Sequence, residues 1–419
     1  MVGMNKIYRF LEDRIIQSLG AFPVVYLAGP RQSGKTTLVQ RIAATRHKAK
    51  YITFDDLQIR SAAQHDPDAF LRSIAGSCVL DEIQLVPEIF RPLKIVVDEN
   101  RNHTDAGRGK FILTGSASVM ALPMLSDALV GRMALHTLLP LSVQEIQGNK
   151  KPSFIDNAFL KDWKFAQLPK ENLINMMLRA SFPELLPLEN NSLRYEWCNG
   201  YINTILQRDV RVLIEVEKLA VLPNLLRLLA AKTGGILNEA SLSRETNLNH
   251  ITTKKYRLLL ENLFLTQSVP AWSSNLGKKL IKAPKVYIND LNLLAYLLNL
   301  DLHDLPQINP HLFGHILENF VVIELSKQIT SSNIRATLYH YRTASGQEID
   351  LLLEGPQHQI IGIEIKARSK VTAKDFIQLE ALKNALGNKF LRGFVLYNGN
   401  DIVPFGVNMW ALPLTSLWA

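Results

Sequence analysis

The stretch Gly29-Pro30-Arg31-Gln32-Ser33-Gly34-Lys35-Thr36 constrains this chain more than any other, because it satisfies the pattern G-x-x-x-x-G-K-[ST] at every fixed position. Its flanks agree with it. Pro23 to Ala28 is a short apolar run of strand character, and Thr36 to Ile42 opens an amphipathic helix, so the order is strand, loop, helix. Such a loop turns backbone N–H groups inward at a helix N-terminus, where an anion is favoured. Gly29 and Gly34 would permit the turn, and Gly29, Pro30, Arg31, Gln32, Ser33, Gly34, Lys35, Thr36 and Thr37 would line a nucleoside triphosphate. Lys35 would reach the β- and γ-phosphates and the Thr36 hydroxyl would ligate Mg²⁺.

The second half of a phosphate-hydrolysing centre is expected at Ser77-Cys78-Val79-Leu80-Asp81-Glu82, an apolar strand ending in adjacent acids. Asp81 would hold Mg²⁺, and Glu82 would polarise the attacking water. A further strand, Lys110 to Ser118, ends in hydroxyls, with Thr114 and Ser116 placed to sense the γ-phosphate. It is expected between the two motif-bearing strands. Asp55 and Asp56 follow another strand and read better as a cap than as metal ligands. Arg132 is a candidate arginine finger for the nucleotide of a neighbouring subunit, with a surface ion pair as the competing role. Residues 4 to 19 have helical apolar spacing and predict a lead-in helix.

Length and composition limit the alternatives. The chain has 419 residues, 47% of them hydrophobic and 20% charged, which is enough for several packed domains. Its two cysteines, Cys78 and Cys198, have no metal-ligand spacing, so a cytoplasmic protein without a disulfide framework is expected. Neither a secretory h-region nor a run of 18 apolar residues occurs, and no membrane partner is expected. The net charge of +9 favours polyanionic partners only weakly.

The P-loop together with Val79-Leu80-Asp81-Glu82-Ile83-Gln84, Leu113-Thr114-Gly115-Ser116, Leu129-Val130-Gly131-Arg132 and Leu139-Pro140-Leu141-Ser142 resembles the bacterial and archaeal AAA-type ATPases of the archaeal ATPase-like clan. The resemblance runs over almost the whole chain. It implies an ATPase core, a helical segment and a C-terminal domain of unknown function related to restriction-type nucleases. It also implies adenine rather than guanine, and gives Lys35, Thr36, Asp81 and Glu82 the roles above. Ser181-Phe182-Pro183-Glu184 and the Trp197, Tyr201, Thr204, Arg208, Asp209 spacing match the family's middle region, although many relatives have Gly-Gly where this chain has Ala180-Ser181.

The expected fold is therefore α/β: a P-loop AAA-type parallel-sheet sandwich over 1–150, a helical segment over 151–220, a winged helix-turn-helix over 221–300, and an α/β restriction-nuclease-like domain over 301–419. Within the winged-helix segment, Ile251 to Leu260 reads as a recognition helix. Thr252, Thr253, Lys254, Lys255 and Arg257 are its candidate DNA contacts, against a helix-turn-helix that meets only protein. In the last segment, Glu364 and Lys366 alternate onto one face of a strand. With Asp350, and with Glu318 as a fourth member, they resemble a PD-(D/E)xK nuclease core, implying a second Mg²⁺ or Mn²⁺. Three functions follow: an ATP-hydrolysing protein that couples nucleotide state to a DNA-binding half, an ATP-switched DNA nuclease, or a nucleotide-dependent interaction protein. A homo-oligomer is a further candidate partner, and an Arg132 acting in trans would require one.

Overall fold

The computed structural model describes residues 7–101, 107–118, 129–148, 154–163, 172–210, 219–274, 283–343 and 346–418. Five parallel strands build the N-terminal sheet: β1 (Val24–Ala28), β2 (Lys50–Thr53), β3 (Cys78–Asp81), β4 (Phe111–Gly115) and β5 (Met133–Thr137). Their order is β2-β3-β4-β1-β5, so β4 separates the strands that precede the two phosphate motifs, as expected. Strands β1, β3 and β4 are buried throughout, which is why they read as continuous apolar runs rather than alternating ones. Apolar clusters cover both faces, one around Leu11, Ile15, Val25, Leu38 and Ile42, the other around Tyr26, Phe54, Leu80, Phe90 and Leu113.

The lead-in helix spans Leu11–Leu19, shorter than the predicted 4–19, whose first three residues lie outside the described residues. Asp56 caps the helix Leu57–His65 through Gln58 N–H at 2.8 Å and Ile59 N–H at 3.2 Å, which is the capping role favoured above.

Residues 172–210 carry the helices Leu173–Arg179 and Asn191–Thr204, the latter continuing into a wider turn at Ile205–Asp209. Three helices follow, Leu222–Ala231, Glu239–Thr246 and His250–Asn262, and then two antiparallel strands, β6 (Thr266–Val269) and β7 (Lys285–Ile288). A helix at Leu291–Leu298 leads to a 22-residue helix, Pro310–Ser331, in which every residue from Ile316 to Leu325 is buried because other elements surround it.

The C-terminal sheet is mixed, with order β12-β13-β11-β10-β9-β8. Its strands are β8 (Thr337–Arg342), β9 (Glu348–Glu354), β10 (Ile360–Lys366), β11 (Phe390–Tyr397), β12 (Val403–Pro404) and β13 (Met409–Pro413), with the helix Ile377–Leu386 on one face. A single apolar cluster runs from Val143 to Trp418 and joins the middle helices, the 310–331 helix and the other face of this sheet. Among the described residues no helix is long and apolar enough to cross a membrane.

Candidate functional site

The loop after β1 runs into the helix Lys35–Thr45, with Gly34 at φ 92° as its N-cap. Lys35 is buried, and its Nζ donates to the carbonyls of Gly29 and Pro30, each at 2.9 Å. Burial holds its ammonium below the usual range, while Glu82 and Asp81 pull it the other way. Thr36 Oγ1 donates to Asp81 Oδ2 at 3.0 Å, so the loop hydroxyl and the β3 carboxylate meet as predicted. Asp81 also accepts from Tyr51 at 2.7 Å and from Thr114. These hard oxygens are the donors that a phosphate-bound Mg²⁺ takes.

Glu82 sits at φ 57°, left-handed backbone that a non-glycine residue adopts only when its surroundings enforce it. Its N–H donates to Thr114 Oγ1 at 3.1 Å. Gln84 Nε2 bridges the Glu82 carboxylate and Ser116 Oγ, the latter at 3.1 Å. Thr114 and Ser116 thus join the centre from β4, as the sequence indicated. Gln84, which the sequence marked only as part of the stretch 79–84, is the residue that links Glu82 to Ser116.

The loop opens into a cavity of about 700 Å³. One wall is Arg31, Gln32, Gly34, Lys35, Thr36, Thr37 and Glu82. The opposite wall is Pro183, Glu184, Leu186, Trp197, Gly200, Tyr201 and Thr204, from residues to which sequence reasoning gave no role at the nucleotide. Trp197 stacks on Tyr201 with centroids 4.9 Å apart, and Trp197 Nε1 donates to Glu184 at 3.0 Å. The spacing of 197, 201 and 204 along one helix is the signal that could have identified this face.

Two cross-links hold the walls in register. Arg31 Nε is 2.6 Å from Asp209 Oδ2, with Asp209 buried, and Tyr201 donates to the Arg31 carbonyl at 3.3 Å. Arg9 donates to the Ser33 carbonyl at 2.6 Å and the Leu139 carbonyl at 2.5 Å while paired with Glu145 at 3.0 Å. Ser181, the departure from Gly-Gly, uses its hydroxyl on Asp290.

Arg132 does not belong to this centre. It precedes β5, whose register with β1 puts residue 133 beside Val24 and residue 137 beside Ala28, so Arg132 lies at the sheet end away from the loop. Its guanidinium grips Asp98 through two bonds, at 2.5 and 2.9 Å. Within this chain Arg132 thus has the ion pair that was its competing role, and a finger reaching a neighbouring subunit would have to release Asp98.

The helix His250–Asn262 divides the predicted DNA contacts. Lys254 and Lys255 are exposed and Thr252 half-buried. Thr253 is buried and bonds Ser243 and the Asn249 carbonyl, and Arg257 is buried between Glu239 at 2.9 Å and Glu261 at 3.2 Å. Those two are structural, because helical periodicity turns positions 253 and 257 inward.

The C-terminal acids do converge. Burial, then the neighbouring Asp350 charge, raises the Glu318 carboxyl to about 7 and the Glu364 carboxyl to about 8. Lys366 donates to Glu364 at 2.8 Å and Asp350 accepts the Ile365 N–H at 2.8 Å. Among the described residues, however, no three acids, histidines or cysteines are arranged to hold a metal ion. The second Mg²⁺ or Mn²⁺ therefore does not fit the arrangement of these side chains.

Comparison with known proteins divides the chain in three. Residues 21–147 match the family described as AAA domain, residues 170–304 a domain of unknown function (DUF8612), and residues 313–417 a further domain of unknown function (DUF4143). Uncharacterized proteins of Mycobacterium bovis and Mycobacterium tuberculosis are each 27% identical over 402 residues, covering 96% of this chain and 82% of theirs. Among solved structures, the Walker-type ATPase PABY2304 of Pyrococcus abyssi has a TM-score of 0.37 at 14% identity, covering 69% of this chain and 95% of that one. For Thermotoga maritima RuvB the TM-score is 0.30 at 16% identity, covering 62% and 89%. Residues 21–147, with the P-loop, the paired acids and the β2-β3-β4-β1-β5 sheet, are thus similar to the AAA domain family, which supports ATP binding at this loop.

Proposed function

We propose that this chain is a Mg²⁺-dependent ATPase that passes its nucleotide state to the helices of residues 172–288. The cavity shared by Lys35, Thr36 and Glu82 on one side and Pro183, Trp197 and Tyr201 on the other carries that proposal, since a nucleotide filling it touches both. The loop N–H groups and Lys35 neutralise the phosphates. Thr36 and Asp81 would hold Mg²⁺, which offsets charge on the phosphate oxygens when bound. Glu82, aimed by Gln84 and Ser116, accepts a hydrogen bond from the attacking water and orients it in line with the γ-phosphate. Adenine and ribose meet the apolar wall of Ile7, Leu141, Leu186 and Trp197.

The three helices and hairpin at 222–288 form a winged-helix unit in this proposal, and its polyanion-facing surface is Thr252, Lys254 and Lys255. DNA is the partner favoured, because exposed lysines on a helix face suit phosphate contacts. Phosphate release from ATP by wild type, Lys35→Ala and Glu82→Gln, with and without DNA, tests both parts. Release lost in both variants supports the hydrolytic site, and DNA-stimulated release that falls in Lys254→Ala/Lys255→Ala and with rising salt supports the DNA surface. Hydrolysis indifferent to every DNA would transfer that surface to a protein partner, and release that persists in Glu82→Gln would remove Glu82 from the mechanism.

A further inference from the structure

The C-terminal carboxylates have a cation already, and it comes from the chain itself. Strand β7 carries Lys285 into the cluster, where its side chain is 3% exposed and its Nζ lies 3.0 Å from Glu318 Oε1 and 3.0 Å from Glu348 Oε1. Tyr287, two residues on and therefore on the same face of the strand, donates to the same Glu318 oxygen at 2.6 Å. Lys366 occupies Glu364, and a backbone N–H occupies Asp350.

The surroundings close over this arrangement. Asn319, beside Glu318 on the 310–331 helix, accepts from Ile288 N–H and donates to Ile288 O, each at 2.9 Å, and also takes the Thr233 hydroxyl at 2.6 Å. The turn at Gly234 bonds Val286 O at 3.1 Å and lies so close that a Cβ there would sit 3.5 Å from Glu318 and 3.3 Å from His315. Beneath this turn and β7, Glu318 is buried.

We infer that Lys285 is the permanent counter-ion of Glu318, as Lys366 is of Glu364, and that this cluster with Asp350 locks the β6–β7 unit onto the C-terminal domain in place of holding a divalent cation for phosphodiester cleavage. An ammonium supplies charge but neither polarises a phosphoryl oxygen as a Lewis acid nor generates hydroxide from bound water. Removing it leaves the buried Glu318 carboxylate with the Tyr287 hydroxyl but no cation, which is destabilising, whereas removing the amine and that acid together is milder.

Two measurements on the full chain test this, both in the Lys35→Ala background without nucleotide so that the P-loop takes up no metal. Electron paramagnetic resonance of free Mn²⁺ during a titration should show no binding that depends on Glu364. Lys285→Met should lower the melting temperature by about 5 °C, and Glu318→Gln added to it should recover part of that loss. One Mn²⁺ bound per chain and lost in Glu364→Gln would overturn the inference, as would Lys285→Met melting like its parent. If Lys285→Met does not fold, the Mn²⁺ titration of the parent against Glu364→Gln decides alone.

Discussion

Replacing Gly29 by alanine would set a Cβ 2.3 Å from the carbonyl oxygen of Leu138 and 3.1 Å from its carbonyl carbon. Neither atom can swing aside, because Leu138 is tied back to β1 by its N–H on Ala28 O at 2.8 Å. A carbon and an oxygen need roughly 3.2 Å, so the ends of β1 and β5 must part by about 1 Å, with the residue also at φ 153°. Overpacking and backbone strain together put the cost at about 3–5 kcal/mol. Alanine at Gly34 meets only Arg9 Nη1 at 3.5 Å and Pro183 Cγ at 4.0 Å, so what remains is the left-handed φ of 92°, about 1–2 kcal/mol. Thermal melts of the two variants without nucleotide, followed by circular dichroism, should therefore rank Gly29→Ala well below Gly34→Ala, and a fluorescent ATP analogue should bind both more weakly than wild type. Gly34→Ala melting at or below Gly29→Ala, or Gly29→Ala within a degree of wild type, would refute the steric assignment.

Other perturbations read other parts of the molecule. Glu82→Gln should abolish phosphate release while retaining ATP, and Ser116→Ala should slow release by about 10-fold, since it removes one contact of the Gln84 bridge rather than the acid itself; single-turnover hydrolysis checks both. Asp209→Asn strips a buried partner from Arg31 and should cost about 2–3 kcal/mol without nucleotide, but less with a bound ATP analogue whose phosphates offer Arg31 a replacement; equal losses in both conditions would deny that Arg31 exchanges partners. Because Glu318 and Glu364 hold protons in the folded chain more tightly than in the unfolded one, stability should fall as pH rises from about 5 to about 8, and Glu364→Gln should flatten that slope in a melting series.

The sequence carried the phosphate site because its parts are local. The loop, its helix and the acids after β3 are each contiguous motifs, and helix and strand periodicity set the order in which they stack. Arg9, Tyr51, Gln84 and Asp209 were invisible as site residues for the opposite reason. Arg9 and Asp209 reach the loop, Tyr51 reaches Asp81 and Gln84 reaches Ser116 through tertiary packing, and no spacing rule connects Arg31 to an aspartate so far along the chain. Thr253 and Arg257 show a second limit. A hydroxyl and a cation in a helix have the same composition whether they face solvent or a buried network, and here Glu239, Glu261 and Ser268 claim the arginine. The alternation of Glu364 and Lys366 revealed the strand and its face, but Lys285, which changes what that face can do, lies in another unit.

The helix Pro310–Ser331 also bears on how the chain is made. Glu324 accepts the Val143 N–H at 3.0 Å, Lys327 takes the carbonyls of Leu141 and Ala180, and Thr330 and Ser332 receive Arg14 from the lead-in helix. All those groups are synthesised long before their partner: the separation between Val143 and Glu324 is 181 residues, roughly 10–40 s of elongation. During that interval residues 139–147 emerge with buried-type polar groups still open to water, and they are covered only when about the last quarter of the polypeptide arrives. Ribosome-bound chains ending before residue 310 should accordingly be protease-sensitive around residues 139–147, and chains extended past residue 332 should lose that sensitivity.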